Sequence, residues 1–160
     1  MKKLLKNMIV FIFGAGAGVA ATKIIKKKRI EDTVVSTNRF ETGFNLFNKW
    51  LKLKNEGKTL IQYFTDNEIK TVAIYGMGAI GERLFQELSI IGIKVIYAID
   101  RIANSKNIEG LKIIGLEDEY QEVDLIVVTP IQDFYDIEEM LEVKTDADIV
   151  SLEDVIDYCS

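Results

Sequence analysis

The stretch TVAIYGMGAIG, Thr71 to Gly81, decides how the rest of the chain is read. Its first five residues, apolar or β-branched, predict a buried strand. Gly76, Gly78 and Gly81 follow in G-x-G-x-x-G spacing; Ile80, Leu84, Leu88 and Ile91 then fall on one helical stripe that Gly92 is placed to end. Each glycine has a mechanical reason to be there. Gly76 lets the chain turn sharply out of the strand, Gly78 lets the backbone approach a ligand with no Cβ in the way, and Gly81 lets the helix pack close to the sheet. Gly76, Met77, Gly78, Ala79, Ile80 and Gly81 thus form a loop whose N–H groups, at the positive end of a helix dipole, suit a phosphate. Strand, glycines and helix in this order are the dinucleotide-binding fingerprint.

The next segment, IKVIYAI from Ile93 to Ile99, reads as a buried parallel strand, and Asp100 stands at its C-terminal end, 19 residues after Gly81. A carboxylate there accepts hydrogen bonds from both ribose hydroxyls and repels a 2′-phosphate, which favours NAD or another unphosphorylated ribose over NADP; NAD is the expected cofactor, ahead of NADP or a nucleotide-sugar. Arg101 pulls the other way, because a guanidinium beside the same ribose would accept that phosphate. The competing reading of the glycines alone is a tight strand-to-helix turn without a ligand.

After Asp100 the alternation continues. Leu111 to Ile114 predicts a short strand, Leu116 to Glu122 a brief acidic helix or turn, and Val123 to Thr129 a buried strand ending at Pro130. Asp133 to Leu141 predicts a helix, Asp148 to Leu152 a last strand and Glu153 to Tyr158 a terminal helix. The expected fold is α/β: a Rossmann-like, doubly wound, parallel five-stranded sheet in the order 3-2-1-4-5. Loops after Tyr75, Asp100 and Thr129 would line one crevice, placing Thr129 with Arg101, Asp100 and the glycine loop among the cofactor-binding residues. Asp100, Thr129, Asp133 and Tyr135 are the crevice's candidates for proton transfer, each with a simpler role as ribose ligand, strand-end cap, helix N-cap or surface aromatic. No catalytic residue stands out among them.

Composition narrows the chemistry. The 160 residues contain no histidine, which removes the usual general base and the usual zinc ligand, and no metal site is expected. One cysteine, Cys159, rules out a disulfide framework within one chain and reads as incidental. The first 30 residues carry eight basic side chains and no acid, leaving 12 basic against 25 acidic side chains in the other 130, a net of −13. So acidic a body argues against a nucleic-acid partner.

Met8 to Ile25 is an 18-residue apolar run interrupted only by Thr22 and Lys23, with lysines before it and Lys26, Lys27, Lys28 and Arg29 after it. As a helix it would be about 27 Å long, near the ~30 Å of a bilayer's hydrocarbon core. The heavier basic cluster follows the run, so a single-pass span at the cell membrane would leave the C-terminal domain in the cytoplasm. Rival readings are a cleaved signal peptide, opposed by the downstream basic cluster, a second glycine loop in FIFGAGAGVAA without a following acid-ended strand, and a helix lying on the membrane surface. Beyond a polar, β-branched stretch from Glu31 to Thr37, Phe40, Phe44, Phe47 and Leu51 recur at helical spacing, with Trp50 and Leu53 alongside and Gly57 as a stop. This predicts an amphipathic helix whose stripe packs as core or, from Phe40 to Leu53, meets a protein partner or a second copy. The expected organisation is a membrane anchor over 1–30, a helical linker over 31–69 and the nucleotide-binding domain over 70–160.

The stretch YAIDRIANSKNIEGLKIIGLEDEYQEVDLIVVT, Tyr97 to Thr129, with its acid-ended strand, its EGLKII step and its aspartate before a hydrophobic strand, resembles the small Rossmann-like domain of bacterial polysaccharide-biosynthesis and nucleotide-sugar enzymes. Such domains precede sugar acyltransferases and occur in nucleotide-sugar epimerases and dehydratases. The resemblance covers Lys70 to Ser160 and implies a nucleotide-binding module near cell-surface polysaccharide synthesis. It departs from the catalytic epimerases, in which a tyrosine is followed four residues later by a lysine: none of the six tyrosines here has one. The expectation is a membrane-anchored module binding NAD or a nucleotide-sugar; alternatives are an oxidoreductase or epimerase completed by a partner subunit, and a structural interaction protein.

Overall fold

Two short apolar strands, VAIY and LIVV, can bury every residue only if helices cover both faces of their sheet. The computed structural model, which describes the backbone of residues 2–102 and 108–160 and the side chains of 26–30, 33–102 and 108–160, shows that arrangement. Its elements are α1 (Lys2–Asn55), α2 (Ile61–Asp66), β1 (Thr71–Tyr75), α3 (Ala79–Ile91), β2 (Lys94–Ile99), β3 (Ile113–Ile114), β4 (Leu125–Val128), a 3₁₀ turn (Ile131–Asp133), α4 (Phe134–Glu142), β5 (Asp148–Ser151) and α5 (Leu152–Tyr158). All strand pairs are parallel and the order is β3-β2-β1-β4-β5. The chain divides into two units, Met1–Glu41 and Thr42–Ser160.

Side-chain alternation builds two cores, one on each face. Val72 and Ile74 of β1 and Leu125 and Val127 of β4 join Leu46, Trp50, Leu53, Phe64, Leu84, Leu88 and the α5 residues Leu152, Val155 and Ile156. Ala73, Tyr75, Ile126 and Val128 point the other way, toward Ile137 and Leu141 of α4. Cys159, expected to be incidental, belongs to the first core, where burial pushes its thiol pKa up.

Several local expectations change. The polar linker at Glu31 to Thr37 is helical within α1: the stretch lacks glycine and proline, and Thr33, Ser36 and Thr37 donate their hydroxyls to the carbonyls of Arg29, Thr33 and Thr33. The third strand shrinks to two residues; of the two readings of Leu116 to Glu122, helix or turn, the structure has the turn. The largest correction concerns α1. Phe40, Phe44, Phe47 and Leu51, read most simply as core, are exposed, and the buried residues are Leu46, Trp50 and Leu53. Leu46, Trp50 and Leu53 have the same 3–4 spacing one helical face away, so periodicity alone could not choose between the stripes.

Among the described residues, no helix is long and apolar enough to cross a membrane. The span expected at Met8 to Ile25 falls on side chains outside that set.

Candidate NAD-binding crevice

The crevice lies at the C-terminal ends of β1, β2 and β4, where the strand order reverses on either side of β1. Gly76 sits at φ +89, left-handed backbone that favours glycine, and a Cβ on it would come within 2.8 Å of Thr129 Oγ1. Gly81 is under a harder constraint: its Cβ would lie 2.1 Å from the carbonyl oxygen of Gly76, so the first turn of α3 rests directly on the loop. Gly78 differs from both. A Cβ there meets nothing within 4 Å, and as the N-cap of α3 it provides no side chain to the first-turn N–H groups. The loop is open at Gly78, where a pyrophosphate would approach, and close-packed at Gly76 and Gly81.

Asp100 is held in two places. Its Oδ2 accepts from Met77 N at 2.8 Å and its Oδ1 from Ile102 N at 2.9 Å. Each oxygen keeps a lone pair, so the carboxylate is fixed in orientation and still able to receive a ribose diol. Sequence reasoning placed Asp100 at the ribose; it did not foresee that the same side chain sets the loop through Met77.

Thr129 is buried, and its hydroxyl donates to the carbonyls of Gly76 at 2.7 Å and Tyr75 at 3.2 Å. Its proton is committed to the turn, making it a support under the glycine loop. Arg101 is exposed, and its guanidinium is raised above its ordinary pKa first by the Tyr75 phenol; burial opposes this, and Asp133 and Asp100 add lesser contributions. Tyr75 Oη is buried and closes no well-formed hydrogen bond. Asp133 heads α4 without capping it through its side chain, and Tyr135 is exposed.

A family model, D-isomer specific 2-hydroxyacid dehydrogenase, NAD binding domain, matches residues 39–145, which include the glycine loop, Asp100, Arg101 and Thr129. The chain belongs to this family of NAD-binding domains. Its fold is Rossmann-like and its cofactor is NAD. The residues present fit that cofactor: an open Gly78, an uncapped helix N-terminus and an oriented carboxylate for the ribose. The narrower resemblance to polysaccharide-biosynthesis enzymes finds no support in this match. No curated protein and no solved structure matches the chain.

One functional-looking group in this NAD-binding domain has no signal in the sequence. Glu87, buried on α3, accepts from Trp50 Nε1 at 2.7 Å and Leu60 N at 3.0 Å and pairs with Lys54 at 2.6 Å. It lies toward the C-terminal half of α3, away from the glycine loop, and joins α1 and the loop before α2 to α3. A lone glutamate in an amphipathic helix reads as solvated, and only its partners reveal the role.

Proposed function

We propose that this chain is an NAD-binding module tethered to the cell membrane by Met8 to Ile25, with its acidic body in the cytoplasm. The observation that carries the cofactor part is the orientation of Asp100 by two backbone donors beside a loop open at Gly78. The adenosine ribose is read by Asp100 and the pyrophosphate by the N–H groups of the Gly76 to Gly81 loop. The tether is supported by the 18-residue apolar run and the lysines on either side of it. The exposed face of α1 between Phe40 and Leu53 supplies a surface for a protein partner.

NAD, when bound, supplies a hydride acceptor. Hydride chemistry also requires a group that moves a proton, and the chain has no histidine. The family match favours, as a second reading, an oxidoreductase whose proton-moving group comes from another subunit.

Thermal melting of the full chain with NAD, NADP or a UDP-sugar at matched concentration tests the cofactor reading. NAD at about 100 times its dissociation constant adds about 2.7 kcal/mol of stability. NADP is expected to add far less, and Asp100→Asn to abolish the NAD shift. An equal shift with NADP, or with the UDP-sugar alone, would sink the assignment of Asp100 to an unphosphorylated dinucleotide ribose.

A further inference from the structure

Tyr75 is the last residue of β1, paired with Ile99 of β2 on one side and Val128 of β4 on the other, so Asp100 and Thr129 follow its two partners into the crevice. With Ala73 it faces α4, on the side of the sheet away from α3. Its side chain is 3% exposed, and among the described residues its hydroxyl is the buried side-chain polar atom left without a hydrogen bond. The other tyrosines of that core are satisfied: Tyr97 donates to the carbonyl of Gln121 at 3.0 Å and Tyr120 to that of Leu116 at 3.2 Å. A buried O–H without a partner costs free energy that phenylalanine, with the same ring, would not. At the end of β1, where the crevice opens, such a group calls for a ligand atom.

The position of the ribose says which part of the ligand this is. With the diol on Asp100 and the pyrophosphate on the loop that starts α3, two corners of the adenosine ribose are fixed. The base on the third corner is then directed to the α4 side of β1. Its edge farthest from the glycosidic bond, carrying N1 and the 6-amino group, enters deepest. We propose that the Tyr75 hydroxyl reads this edge and so selects a dinucleotide whose base is adenine. The phenol donates to N1 or accepts from the 6-amino group, since a hydroxyl can do either. Arg101, exposed at the end of β2 and the charged group on which the phenol acts most strongly, turns aside to admit the base. This rests on the NAD reading of the crevice and adds the base to its ribose and pyrophosphate contacts.

The test is titration calorimetry on the full chain in detergent with NAD and with etheno-NAD, in which a third ring ties up both N1 and the 6-amino nitrogen. Tyr75→Phe keeps the ring and is expected to melt no lower than wild type, because it removes an unpaired buried hydroxyl. It should weaken NAD about 3- to 10-fold, the worth of one hydrogen bond, and bind etheno-NAD as wild type does. An unchanged NAD affinity in Tyr75→Phe overturns the proposal. So does an equal loss for both dinucleotides, or a variant that melts well below wild type, since either gives the hydroxyl a role inside the protein. A wild type that binds neither dinucleotide removes the NAD reading itself, and the proposal with it.

Discussion

Three glycines in one motif carry three different physical loads, and substitutions should separate them. Gly81→Ala drives a Cβ into the carbonyl of Gly76 at 2.1 Å, backbone against backbone, with no flexible side chain to yield. It is expected to destabilise the domain by about 1–3 kcal/mol or more. Gly76→Ala combines a left-handed φ with contacts to Thr129 and Pro130 and should cost a similar amount. Gly78→Ala meets no protein atom within 4 Å at its Cβ and sits at φ −70, so the main cost is the weaker N-cap, and stability should stay within about 1 kcal/mol of wild type. NAD binding should nevertheless be lost, because the new side chain occupies the pyrophosphate's approach. Denaturant unfolding and a cofactor titration on the same three variants check this; a Gly78 variant that binds NAD normally would show that the phosphates lie elsewhere.

Between elements, two carboxylates act as clasps. Glu87 holds Trp50 and Lys54 of α1 and the backbone of Leu60 to α3. Glu87→Ala leaves the buried Trp50 indole N–H and the Leu60 N–H without their acceptor, while the exposed Lys54 can turn to water; a loss of about 1–3 kcal/mol for each stranded donor is expected in urea unfolding. Asp124 closes the opposite end of the sheet, accepting from Lys70 N, Thr71 N and the Thr71 hydroxyl, which together hold its carboxyl below the usual 3.8. Because the folded pKa is depressed, this clasp stabilises fully above about pH 4 and fades as the pH falls through the folded value. Asp124→Asn should therefore lower stability at neutral pH and flatten its decline in acid. An unchanged acid profile would assign that decline to other carboxylates. The resemblance had drawn attention to Asp124 as a marker before a hydrophobic strand; its partners show a purely architectural role.

For the molecule as a whole, the parallel order β3-β2-β1-β4-β5, the crevice and the cofactor class were legible before any coordinates. Each follows from local pattern: buried parallel strands are short apolar runs, their crossovers are amphipathic helices, and a glycine loop followed by an acid-ended strand has one common use. The Phe40–Phe44–Phe47–Leu51 stripe was legible as a stripe but not as an exposed one. Two apolar faces of one helix competed for the core, and Glu87 settled the choice by drawing Trp50 inward through a hydrogen bond with a partner 37 residues away. By itself, then, the sequence determined the sheet, its glycine turn and the acid at the end of β2, because those depend on spacing within a few residues. Tertiary structure alone decided that Asp100 also orients Met77, that Thr129 supports the turn, and which face of α1 is left outside. Those are contacts between residues distant in the chain, and no local periodicity encodes them.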